Sequence, residues 1–88
     1  MIRESSIEKY LTKKVTEGKG KCLKLTGYIG IPDRLVLLPG GVMIFVELKR
    51  SKHHAPRPSQ LLWQRLLTRL GFTCLTVGSK EEVDQLMK

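Results

Sequence analysis

Apolar residues recur along this chain with two different periods. Ile7, Leu11 and Val15 fall at i, i+4 and i+8, one stripe of a helix expected from about residue 2 to 16. Gly18 and Gly20 follow the last periodic residue and stop it. Cys22 to Thr26 alternates and predicts a first strand. Leu35-Val36-Leu37-Leu38, a Pro39-Gly40-Gly41 turn and Val42-Met43-Ile44-Phe45-Val46 predict a tight hairpin. Leu62, Trp63, Leu66, Leu67 and Leu70 then form one broad apolar face of a helix from Pro58 to about Leu70, with Trp63 expected in the core. Leu61 falls on the polar side, an exposed leucine suited to a partner surface. Phe72 to Val77 reads as the last strand. Ser79, with Glu82 three positions on, is a capping box opening a final helix whose apolar face is Val83, Leu86 and Met87. The order is α-β-β-β-α-β-α. No repeat or internal boundary interrupts it, so residues 1–88 read as one domain.

Composition narrows the partners. Sixteen basic against eight acidic residues leave a net charge of +8 on 88 residues, a footprint for a polyanion, either nucleic acid or an anionic membrane surface. No segment approaches the ~20 apolar residues needed to cross a bilayer, and no apolar run follows Arg3 as in a signal peptide. The expectation is a cytoplasmic protein that is neither membrane-bound nor secreted. Cys22 and Cys74 sit in strand-like contexts and read as reduced thiols, a disulfide between neighbouring strands being the alternative. His53 and His54 are adjacent and point apart, and the cysteines lack zinc spacing, so a zinc site is rejected.

The hairpin carries the chemistry. A three-residue loop sets Leu38 opposite Val42, and counting back sets Asp33 opposite Glu47. Opposed residues share a sheet face with Cβ atoms about 4.5–5.5 Å apart, unless a bulge shifts the register. Lys49 joins that face by the period of two. Two carboxylates and an ammonium thus converge at the open end of the hairpin. Oxygen ligands of this kind suit Mg²⁺ or Mn²⁺. The bland alternative is a strand edge on which Asp33 and Glu47 pair with Lys49 and Arg34.

Pro32-Asp33, a hydrophobic strand and Glu47-Leu48-Lys49 resemble the pattern of the PD-(D/E)XK nuclease superfamily. The longer string Gly30-Ile31-Pro32-Asp33-Arg34, Val46-Glu47-Leu48-Lys49 and a downstream Gln60 is similar to its VRR-NUC (virus-type replication-repair nuclease) branch, over nearly the whole chain. The resemblance implies a restriction-endonuclease-like α/β core, a mixed four-stranded sheet flanked by helices. It further implies a metal-dependent endonuclease hydrolysing DNA phosphodiesters, with Asp33, Glu47 and the backbone carbonyl of Leu48 as ligands. A first-helix glutamate completes the metal shell in this pattern. Glu4 fits it best, with Glu8 in reserve; a solvated Glu4 at the helix start is the plain alternative. Lys49 would position or deprotonate the attacking water. Gln60 would orient a phosphate, or simply start its helix.

Stand-alone members of the family look like Holliday-junction resolvases. The resemblance therefore implies a homodimer acting on branched double-stranded DNA in a bacterial or phage-infected cell. A flap or nicking nuclease, or a nucleic-acid-binding module that does not cut, are the alternatives. Around the site, Arg34, Arg50, Lys52 and Arg57 are candidate phosphate contacts, since the basic stretch 50–58 leaves directly from Lys49. Tyr28, between Gly27 and Gly30, either stacks on a nucleotide or covers the core edge.

Overall fold

The computed structural model describes residues 4–49 and 55–88, except for the side chains of Glu4 and Ser5. Its elements are α1 (Glu4–Glu17), β1 (Lys21–Lys24), β2 (Arg34–Leu38), β3 (Val42–Leu48), α2 (Pro58–Arg69), β4 (Thr73–Val77) and α3 (Lys80–Leu86). The order matches the sequence reading, and every described boundary lies within two residues of it. Gly40 and Gly41 make the β2–β3 turn with φ of 87° and 76°, a left-handed pair that matches the twist of a hairpin.

The four strands form one sheet in the order β1-β2-β3-β4. β1 with β2 and β2 with β3 are antiparallel, whereas β3 and β4 run parallel. The sheet is therefore mixed. A parallel neighbour needs a crossover, and α2 provides it.

One side of the sheet carries the main core. Ile7, Leu11 and Val15 from α1 and Val83 from α3 pack with Val36, Ile44, Val46, Leu48 and Val77. These strand residues are all on one face by register, because Val36 opposes Ile44 and Leu48 opposes Val77. The other face, carrying Leu35, Phe45 and Cys74, belongs to the side of α2, whose Leu67 is buried outside that cluster. α2 covers it only in part. Of the five residues expected to form its apolar face, Leu67 alone is buried, while Leu62 and Leu70 are 64% and 60% exposed. Trp63 is half-buried, not core. A seven-residue helix with an N-capping serine closes the fold: Ser79 Oγ accepts the Glu82 N–H at 3.1 Å. The Glu82 carboxylate reaches back one residue further than the usual box and accepts the Gly78 N–H at 3.0 Å.

The cysteines lie on the two edge strands and on opposite faces, Cys22 beside Val36 and Cys74 beside Phe45. That placement excludes a bond between them, and both are free thiols. Among the described residues no helix is long and apolar enough to cross a membrane.

Candidate active site

The predicted hairpin register is observed. Leu38 pairs with Val42 and the ladder runs to Arg34 opposite Val46, so the next step sets Asp33 against Glu47. Asp33 lies just before β2 and substitutes for a ladder bond with its side chain, Oδ2 accepting the Leu48 N–H at 2.7 Å. Its own carbonyl accepts the Leu25 N–H at 3.0 Å. The preceding Pro32 is fully buried. Asp33 is therefore anchored through its side chain to β3 and through its backbone to the residue that follows β1.

Glu47 is 4% exposed, the only buried charged residue among those described. Removing a carboxylate from water is costly unless charge and hydrogen bonds compensate it. Its influence reaches Cys74 on the same face, where burial, reinforced by the Glu47 charge, pushes the thiol up from its ordinary value. A thiol held protonated in this way is a poor nucleophile.

Lys49 continues the face. Its N–H donates to the Val77 carbonyl at 2.8 Å, which extends the parallel β3–β4 ladder past Leu48. The lysine stem then passes over Gly78. A Cβ built on Gly78 would stand 3.0 Å from Lys49 Cβ and 3.2 Å from Cδ. The absence of a side chain at Gly78 is what leaves room for the stem. The sequence reading missed this residue, whose only trace there is a glycine ending the strand that aligns with the Glu47-Leu48-Lys49 segment.

The remaining candidates divide. Arg34 alternates with Asp33 and turns to the α1 side, where Nε meets Glu8 Oε2 at 2.7 Å and Nη1 approaches the Cys22 carbonyl at 3.4 Å. Arg34 and Glu8, read from sequence as a phosphate contact and a reserve metal ligand, thus engage each other and tie α1 to β2. Gln60 is a helix-start residue here: its Oε1 accepts the Arg57 N–H at 2.8 Å. Arg57 itself is exposed at the N-cap. Tyr28 is 68% exposed and sets its ring edge-on to Trp63, with centroids 5.6 Å apart. It does not cover the core edge. Arg50, Lys52 and the Glu4 side chain lie outside the described residues.

The donor set suits a hard divalent cation. Asp33 and Glu47 offer carboxylate oxygens, and the Leu48 carbonyl is on a backbone held firm by a side chain only 1% exposed. Among the described residues no three histidine, cysteine, aspartate or glutamate side chains gather as a metal site. Two carboxylates and a carbonyl would leave positions for water and substrate oxygens, as Mg²⁺ sites commonly do.

No family model matches the sequence. A phage protein does: "Putative nuclease p44" of Acyrthosiphon pisum secondary endosymbiont phage 1 is 41% identical over 83 residues, covering 92% of this chain and 88% of its own length. Among solved structures, one called "VRR_NUC domain" superposes with a TM-score of 0.89 at 35% identity, covering 99% of this chain and 96% of its own. Similarity in both sequence and shape along nearly the full length means that this chain belongs to the VRR_NUC family of nucleases.

Proposed function

We propose that residues 1–88 form one Mg²⁺- or Mn²⁺-dependent endonuclease domain that hydrolyses DNA phosphodiesters and prefers branched duplexes. The observation that carries this reading is the face shared by Asp33, Glu47 and Lys49, with Asp33 clamped to the Leu48 N–H. Asp33, Glu47 and the Leu48 carbonyl would hold the ion, with Glu4 completing the set. A divalent ion, when bound, makes water nucleophilic near neutral pH and takes up charge developing on the phosphate. Lys49 Nζ orients the attacking water and removes its proton. Gln60, its oxygen engaged by the helix start, has an amide nitrogen that donates to a phosphate oxygen. Arg57, with Arg50 and Lys52, holds flanking phosphates.

Paired incision of a four-way junction needs two sites related by a two-fold axis, which a homodimer supplies. Leu62 and Leu70 on α2, with Phe72 at 41% and Met43 at 39% exposure, offer apolar surface for such a contact. The net charge opposes self-association, so the contact must be apolar. A cruciform plasmid tests the reading. Linear product formed within one binding event is expected, and chelation should stop it. Sedimentation at micromolar concentration should show a dimer. Nicked circles from a monomer would replace this reading with an independent nicking or flap nuclease, and DNA binding without cleavage would leave a binding module. The basic surface and the phage relative also favour work on DNA in the cytoplasm of a bacterial or phage-infected cell.

Gly78 should matter for the reaction more than for the fold. In Gly78→Ala the new methyl presses on the Lys49 stem, and displacement of a reacting group by about 1 Å can cost ~10²-fold in rate. The expected result is a lower kcat with little change in DNA affinity. In a Lys49→Ala background the same substitution should have almost no further effect. A full additional loss there would assign Gly78 a role independent of the lysine.

A further inference from the structure

The loop from β1 to β2 presents two large side chains to solvent, Ile29 and, with one edge against Trp63, Tyr28. Ile29 is 88% exposed and Tyr28 is 68% exposed. The backbone beneath them is strapped down. Trp63 Nε1 donates to the Ile29 carbonyl at 3.1 Å, and the Ile31 N–H donates to the Tyr28 carbonyl at 3.3 Å. Gly30 lies so close to α2 that a Cβ there would stand 2.5 Å from the Ser59 carbonyl carbon. Pro32, next along, is fully buried and leads directly into Asp33. The tip is thus fixed in position relative to the candidate active site, four residues from its first carboxylate.

We propose that Ile29 and Tyr28 form a wedge that enters a base step of duplex DNA at a branch point, Ile29 parting the step and Tyr28 stacking on the base it exposes. This rests on the nuclease reading and adds how that site would distinguish branched from continuous DNA. Apolar side chains that enter base steps are a recurrent device of DNA-bending proteins, and the cost of unstacking is lowest where stacking is already interrupted. A nucleic-acid occupant fits the surroundings. Arg57 lies two residues from the Ser59 contact, Lys49 is on the Asp33 face, and the chain carries +8. Two side chains match one base step in size, whereas a stable protein interface buries about 800 Å² per partner.

The test uses Glu47→Gln protein, so that binding is read without cutting, and 2-aminopurine placed at the branch of a four-way junction. Fluorescence should rise several-fold on binding, and Ile29→Ser in the same background should remove most of that rise. Affinity for the junction should fall about tenfold, the loss expected for one base contact, while affinity for uninterrupted duplex is retained. Ile29 is 88% exposed, so its side chain adds little to the fold, and Tyr28→Leu provides a second variant that keeps an apolar cover on Trp63. Unchanged fluorescence on wild-type binding, or an unaltered junction-to-duplex ratio in both variants, would overturn the proposal. So would conversion of a dimer to a monomer by Ile29→Ser, since the tip would then cover a second copy. The two readings separate: junction cleavage without unstacking removes the wedge alone, and unstacking without cleavage removes the nuclease alone.

Discussion

Glu47→Gln is expected to reduce cleavage by about 10²–10³-fold, the order of loss when transition-state charge stabilisation is removed, here through a weakened hold on the metal ion. The substitution keeps shape and removes only the charge. Because Glu47 and Gln have nearly the same volume at a site 4% exposed, the metal-free variant should stay folded and melt close to wild type. Mg²⁺ or Mn²⁺ should raise the wild-type midpoint by mass action and leave the variant nearly unmoved. Asp33→Asn should behave similarly, since an asparagine oxygen can still accept the Leu48 N–H and preserve the hairpin end. Lys49→Ala should cost about 10²–10⁴-fold, the range for a lost general base. Cleavage assays with and without chelator, paired with thermal melts, check all three. Undiminished wild-type cleavage in chelator, or full activity in the Glu47 variant, would refute the assignment.

The second large effect is on stability, at Gly30. Its φ of +83° is a left-handed conformation that costs a residue with a side chain about 1–2 kcal/mol. Its ideal Cβ would also meet Ser59 at 2.5 Å from the carbonyl carbon and 2.7 Å from both Cβ and O. These are mostly backbone atoms at the start of α2, which cannot rotate away. Overpacking of this kind adds about 1–3 kcal/mol. Gly30→Ala should therefore destabilise the chain by roughly 2–5 kcal/mol in denaturant unfolding. Gly27 supplies the control: its φ is +100° and a Cβ there meets nothing within 4 Å. Gly27→Ala should show the conformational cost alone. Equal losses at the two positions would mean that the loop does not need its close approach to α2.

Much of the candidate site was legible because a hairpin is a local object. A three-residue turn fixes which residues oppose one another, and the alternation of a strand fixes which of them share a face. Leu38 opposite Val42 therefore carried Asp33 to Glu47, and Lys49 followed. The capping serine of α3 was legible for the same reason, since Ser79 and Glu82 are three residues apart in any helix.

What the sequence could not decide was which faces become covered. Periodicity gives α2 an apolar stripe but not the width of the surface it meets, so Leu62 and Leu70 were expected inward and are exposed. Trp63 was read as core and instead holds the Ile29 carbonyl, 34 residues away in sequence. Arg34 and Glu8 were each assigned to the site, yet they find one another across 26 residues. Gly78 acquires its meaning only because β4 is laid parallel to β3, which brings it beneath the Lys49 stem. Local spacing determined which residues share the face of the candidate site, through bond geometry alone. The supports of that face were decided by long-range packing, because contacts between distant segments depend on how the helices and the edge strand settle on the sheet.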